Sequence, residues 1–195
     1  MTSLHHMLFL ALNASDAPPA MLVAFAILCA KYLYFLVPLH LALVWYAGPS
    51  ELRFVAIVGG LAMAGALLAS GLIGHFMPTP RPFVLGIGHT LVEHRPSAAF
   101  PSNHTIVCFA WASVLAIYGH LRLALAAGVI GLLVGWSRIY LGVHFPLDIV
   151  GGAALAGIAA FAAVRLIMLD QGRTVARLDR LAGRFAPFPR LRSSS

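Results

Sequence analysis

The sequence predicts an all-α membrane protein, a bundle of five to six transmembrane helices. Three observations carry that expectation. The 195 residues are 61% hydrophobic and only 10% charged, against about 45–50% apolar and about 25% charged in soluble domains. Mean hydropathy is +0.90. The apolar residues fall into runs of roughly 20, the length a helix needs to cross the hydrocarbon core. The cations collect at alternate ends of those runs, as membrane topology demands.

Taken in order, residues 4–12 are a short apolar stretch with His5 and His6, closed by the breaker NASDAPP. This piece is expected to lie in the interface and not to span. Residues 20–47 are too long for one upright helix and too short for two, and they contain Lys31 and Pro38. Clear spans follow at about 53–76, 104–120, 122–141 and 148–168. No Lys or Arg precedes Lys31, so a cleaved signal peptide is not expected. Cys29 and Cys108 lie inside apolar runs, make no metal spacing, and read as small core residues. Residues 1–170 are taken as one transmembrane domain, and 171–195 as a basic tail.

Arg53, Arg122 and the arginines from Arg165 to Arg192 alternate onto one side, which the positive-inside rule makes cytoplasmic. The tail either lies on the anionic leaflet as an amphipathic segment or is flexible and only fixes topology. The formal charge of +7 is concentrated there and, without a basic–aromatic platform, gives no nucleic-acid signature. The outer side keeps Arg81, Arg95 and Arg138.

Those outer arginines sit in or beside three unusual clusters. In HFMPTPRPFV (75–84), prolines 78, 80 and 82 stop the helix and hold Arg81 at the membrane face. An arginine fork suits phosphate oxygens, although a lone Arg-Pro pair also fits a snorkelling arginine. In FPSNHT (100–105), Ser102 is a natural N-cap, Asn103 tolerates a tight turn, and His104 can reach a leaving-group oxygen. The first-turn N–H groups there can bind an anion. In SRIYLGVHFPLD (137–148), Pro146 marks a helix start and places Asp148 in the first turn, within reach of the His144 ring, with Arg138 nearby. Each cluster alone has an ordinary explanation. Their convergence on one side implies an outer pocket for a phosphoryl group, and nothing in the set resembles a metal cage.

Arg81-Pro82, Pro101-Ser102-Asn103-His104, and Ser137-Arg138 with His144 and Asp148 together resemble the three-part signature of the type-2 phosphatidic acid phosphatase superfamily. Within it, GHFMPTPRPFV, AFPSNHT and WSRIYLGVHFPLDIVGG are most similar to the bacterial undecaprenyl-diphosphatases of the bacitracin-resistance type. Two positions depart from the superfamily pattern. Its usual lysine seven residues before the first arginine is Gly74 here, and Asn103 stands where glycine is usual. Lys31 is expected either to supply the missing charge or to snorkel to the outer headgroups.

The resemblance implies a metal-independent, cofactor-free lipid phosphatase in a bacterial inner membrane, with its active site at the outer, periplasmic end and its C-terminus cytoplasmic. His144 would attack the terminal phosphorus and form a phosphohistidine, Asp148 would orient its ring, and His104 would protonate the leaving oxygen. Arg81, Arg138, Ser102, Asn103 and Lys31 would bind phosphate. Such roles need His144 neutral while His104 is protonated, and so imply a bell-shaped pH–rate profile. The expected partners are the bilayer and a polyprenyl diphosphate, undecaprenyl diphosphate first. Phosphatidylglycerophosphate, phosphatidate and lipid A phosphate are alternatives, and a non-catalytic lipid-binding or transport protein is the remoter one. Residues 85–100 are expected to form a lid whose Glu93, His94 and Arg95 either contact the distal phosphate or are simply solvated.

Overall fold

A computed structural model describes residues 4–170, 172–174, 177 and 180. The basic tail expected over 171–195 therefore lies largely outside the described residues. All regular structure among the described residues is helical: α1 (Leu4–Leu12), α2 (Ala20–Lys31), α3 (Leu36–Ala47), α4 (Ser50–Phe76), α5 (Asn103–Ile117), α6 (Leu121–Tyr140) and α7 (Pro146–Leu169).

The run over 20–47 forms two helices joined by a 3-10 turn at Leu33–Phe35. Pro38 explains the interruption. It has no N–H for the Tyr34 carbonyl, and its ring crowds that carbonyl, so the preceding turn tightens. The combined rod of 28 residues, α4, α6 and α7 are each long and apolar enough to cross a membrane.

Helix α5 is the exception in length. Its 15 residues rise about 22 Å at 1.5 Å per residue, short of the roughly 30 Å hydrocarbon thickness. It can be short because it is the central helix. It packs against α4, α6 and α7, and Ile106, Trp111, Val114 and Leu115 are fully buried. Its end also falls earlier than the sequence pattern suggested, at Ile117 and not near 120. Gly119 adopts φ +81°, and the N–H of His120 reaches back to Leu115 O at 2.9 Å, a glycine-dependent stop that satisfies the last carbonyls. Against this central helix Gly59 of α4 lies flat on the Trp111 ring, where a Cβ would come within 2.6 Å. Small residues of this kind let membrane helices approach closely.

The outward faces are apolar. Leu68, Leu72, Leu125, Leu132, Ile158 and Leu166 are all more than half exposed, a surface suited to lipid chains. This is a multi-pass membrane protein.

The chain reverses between α4 and α5, α5 and α6, and α6 and α7, so the C-terminal ends of α4 and α6 and the N-terminal ends of α5 and α7 meet at one end of the bundle. The short α1 sits across that end, on α6 and α7, with Phe9 fully buried and edge-on to Phe145 at 5.1 Å. This agrees with a helix that lies across the bundle and does not span. Asn13 then fastens it. Its Nδ2 donates to the carbonyls of His89 (2.9 Å) and Tyr140 (3.0 Å), and its Oδ1 accepts from His89 N–H at 2.6 Å.

Candidate active site

The three polar clusters form one site at that end. Helix α4 stops at Phe76 before the prolines, and Thr79 then pairs with the returning chain. Ala99 N–H donates to Thr79 O, and Phe100 N–H to Thr79 Oγ1, each at 2.9 Å. Arg81 is extended, as the residue before a proline must be (φ −80°, ψ 159°). Its side chain is 5% exposed and its hydrogen bonds are all internal. Nε donates to Ser97 O (2.9 Å), Nη2 to Ser97 Oγ (3.2 Å) and Ala98 O (3.1 Å), and Nη1 to Val143 O (2.9 Å) and His144 Nε2 (3.1 Å). The prolines thus place Arg81, and four acceptors from two loops lock its fork against the ring of His144.

His144 lies in the turn between α6 and α7. Gly142 makes that turn with φ +80°, and the carbonyl of His89 occupies the space where a Cβ would stand. Pro146 opens α7, and Asp148 in its first turn accepts from Phe145 N–H at 2.8 Å. The same Oδ2 lies 3.2 Å from His144 Nδ1. A carboxylate only accepts and a guanidinium only donates, so these partners assign the tautomer: Nδ1 carries the proton toward Asp148, and Nε2 presents a lone pair beside Arg81. Burial holds His144 well below the ordinary histidine range, and the nearby Arg81 and Arg138 lower it further. The ring is therefore neutral at pH 7, with its unprotonated nitrogen facing the cavity.

Arg138, one turn before that loop, is 6% exposed. Its Nη2 donates to His94 Nε2 at 2.8 Å, while its buried Nε has no hydrogen-bond partner. His104 in the first turn of α5 packs against the ring of Tyr34, edge-on at 4.6 Å. A cavity of about 330 Å³ joins these groups, lined by Arg81, His94, Ser97, Asn103, His104, Arg138 and His144, with Ser70 and Gly74 on the α4 wall. A phosphoryl group placed there meets two guanidinium groups, an unprotonated imidazole nitrogen and a second histidine across the cavity. Among the described residues no three His, Cys, Asp or Glu side chains are grouped to hold a metal ion.

Not every expected residue reaches the cavity. Ser102 stands at the N-cap position, but its side chain makes no capping bond. It is fully buried and accepts from Thr105 Oγ1 at 3.1 Å. It serves as a packing point behind the cavity: its N–H donates to Asp148 O at 3.0 Å, and Gly152 of α7 lies so close that a Cβ would meet Ser102 O at 2.9 Å. Asn103 does line the cavity, where its Oδ1 accepts from Ser70 Oγ at 2.6 Å. It is the first helical residue of α5 and not part of a tight turn.

Lys31 stands apart from the cavity. It is exposed and lines no part of the cavity. Residues four apart share a helix face, and Ala26 and Ala30 form the face of α2 packed with Tyr140 and Leu141. Lys31 is one step of about 100° round from it. The next residue along the packed row is Tyr34, which reaches His104. Sequence reading missed Tyr34, and the small residues at 26 and 30 were the signal that could have found it. Of the three loop residues considered for phosphate contact, His94 alone lines the cavity, whereas Glu93 and Arg95 are exposed.

The description "PAP2 superfamily" belongs to the family model that matches residues 54–171, a stretch holding every cavity-lining residue named above. The chain is 34% identical to the putative undecaprenyl-diphosphatase YbjG of Escherichia coli over 165 residues, covering 85% of this chain and 83% of that protein. It is 28% identical to the undecaprenyl-diphosphatase BcrC of Bacillus subtilis, covering 81% of each. Among solved structures, LpxE of Aquifex aeolicus superposes with a TM-score of 0.68 at 27% identity, over 84% of this chain and 96% of that one. A PAP2-type phosphatidylglycerolphosphate phosphatase from Bacillus subtilis shares the fold with a TM-score of 0.59 at 24% identity, over 83% of each chain. With its helical bundle and its arginine–histidine cavity, the chain belongs to the PAP2 superfamily of membrane phosphatases.

Proposed function

We propose that this protein is an undecaprenyl-diphosphate phosphatase, which releases inorganic phosphate and undecaprenyl phosphate through a covalent phosphohistidine and without a metal ion. The observation that carries the mechanism is the His144 ring, held by Asp148 on one nitrogen and turned to Arg81 with the other. His144 Nε2 attacks the terminal phosphorus, and the P–O bond to the lipid phosphate breaks. Asp148 stabilises the imidazolium as it forms. His104 protonates the departing oxygen, then takes a proton from the water that hydrolyses the phosphohistidine. Arg138 with its unpartnered Nε and the first backbone N–H groups of α5 hold the equatorial oxygens, over which the charge is spread in the transition state, and Arg81 adds the Nη1–H that His144 Nε2 gives up as it turns to phosphorus. Ser102 acts behind the cavity by fixing the start of α5 against α7.

The substrate reading rests on the relatives named undecaprenyl-diphosphatase, which match more than four fifths of this chain. By the positive-inside rule the cavity opens at the periplasmic face and the C-terminus is cytoplasmic. A second reading, phosphatidylglycerophosphate hydrolysis, is favoured by a 39% identical stretch of 72 residues in phosphatidylglycerophosphatase B of Bacillus subtilis. That match covers only 36% of the relative. Purified protein tested on both lipids decides between them. Wild type should release phosphate from undecaprenyl diphosphate in EDTA, and His144→Ala should lose at least about 1,000-fold, near the acid–base and nucleophile contributions together. Activity lost in EDTA and restored by magnesium would reject the mechanism.

A further inference from the structure

His94 stands apart from the groups used so far. It belongs to the segment between the 3-10 turn at Pro82–Leu85 and α5, and that segment is fastened on both sides of it. On one side His89 is held by Asn13, and Leu91 N–H donates to Leu141 O at 3.2 Å. On the other, Ser97 and Ala98 are held by Arg81. Between these clasps the imidazole reaches Arg138. Its Nε2 accepts from Nη2 at 2.8 Å and its Nδ1 lies 3.0 Å from Arg95 O. The ring is 6.5 Å from that of His144, centroid to centroid.

A second, more open cavity of about 610 Å³ is lined by Phe83, Leu91, Val92 and Glu93 among others, and His94 lines both cavities. A ligand longer than one phosphoryl group that extends from the first cavity toward the second passes this ring. The charge of such a ligand also needs an answer. Arg81 spends its donors on protein carbonyls and His144, Lys31 is absent from the cavity, and the α4 wall offers Gly74 where a side chain would project.

We propose that His94 is a specificity-determining residue that binds the second phosphate of a diphosphate headgroup, the one next to the phosphoryl group under attack. This rests on the reading of the substrate as a lipid diphosphate. As the headgroup enters, a phosphate oxygen takes over Arg138 Nη2 and leaves His94 Nε2 facing an anion. An adjacent anion favours the protonated ring. The proton comes from water or from the terminal phosphate of the headgroup, whose second ionisation lies at about pH 6. Nε2–H then donates a charge-assisted hydrogen bond to the second phosphate. A monophosphate lipid places nothing there and does not use the residue.

The test is kcat/KM on matched polyprenyl diphosphate and polyprenyl monophosphate, for wild type, His94→Gln and His94→Ala. A charge-assisted hydrogen bond corresponds to a loss of about 10- to 100-fold. The diphosphate should suffer that loss in His94→Ala and a smaller one in His94→Gln, while monophosphate hydrolysis stays within about threefold. Inorganic pyrophosphate should lose its advantage over phosphate as an inhibitor in the same variants. Equal losses on both lipids, or none on either, would overturn the assignment of His94. A wild-type enzyme that hydrolysed the monophosphate and left the diphosphate intact would instead overturn the substrate reading beneath it.

Discussion

Asp148→Asn is the sharpest perturbation available, because it removes a charge and almost no volume. The side chains of His144 and Asp148 are 3% and 6% exposed, so water does little to screen the pair. At 3.2 Å, with an effective dielectric of about 20, a carboxylate and an imidazolium attract by about 5 kcal/mol. That attraction is absent while the ring is neutral and develops as Nε2 bonds to phosphorus. A transition state carrying half to all of the new charge would therefore lose about 10²- to 10⁴-fold in kcat, at 1.36 kcal/mol per decade. The amide adds a second effect. Oδ2 accepts from both His144 and Phe145 N–H, and an asparagine that turns its NH2 toward His144 would select the Nε2–H tautomer, which has no lone pair to attack with. The assay is rapid-quench kinetics with terminally labelled lipid diphosphate, which follows phosphate release and the phosphoenzyme separately. Formation of phosphoenzyme should slow by the full factor while KM stays within a fewfold. An Asp148→Asn enzyme within tenfold of wild type, beside an inactive His144→Ala, would refute the role given to the carboxylate.

Arg81→Lys keeps the charge and removes the fork. Three lysine donors cannot serve the acceptors at Ser97, Ala98, Val143 and His144 that Arg81 now serves, and each buried acceptor left open costs about 1–3 kcal/mol. The variant should melt roughly 5–10 °C lower in detergent and fall at least about 100-fold in kcat/KM, and an unchanged melting temperature would show that the cage is not structural. His144 gives a pH dependence of stability. Its folded value is depressed by burial first and by Arg81 and Arg138 next, so below the unfolded value of about 6.5 the unfolded chain binds the proton and the native site does not. The stability it supports is present above pH 6.5 and is lost as pH falls further. Wild type should therefore lose melting temperature relative to His144→Gln on going from pH 7 to pH 5, and parallel curves for the two proteins would contradict a neutral buried His144.

What could be read from sequence, and what could not, follows from the range of each signal. Helix punctuation is local, so Pro78, Pro80 and Pro82 after α4 and Pro146 at the start of α7 gave boundaries within a few residues. The pairing of His144 with Asp148 is also local, four residues across one helix start. Arg81, His104 and His144 are distant in sequence, yet topology alone gathers them, because alternate helix ends must share a side. Which polar residues face the cavity depends on a rotation about a helix axis or a choice of hydrogen-bond partner. Lys31 was assigned by depth, which the chain fixes, when its role depended on which face of α2 meets α6, and Ala26 and Ala30 decide that by packing. Ser102 was assigned by its position at a helix start, when its hydroxyl had a closer partner in Thr105. His94 was one of three polar side chains in a segment without periodicity, and only the clasps at Asn13 and Arg81 select it over Glu93 and Arg95. The clasps themselves answer to backbone groups, Asn13 to carbonyls of His89 and Tyr140 and Arg81 to those of Ser97, Ala98 and Val143. Every residue carries such groups, so no side-chain pattern announces them. A catalytic constellation is thus legible where rare side chains recur at helix ends, while the segment that covers it is legible only once the backbone has been placed.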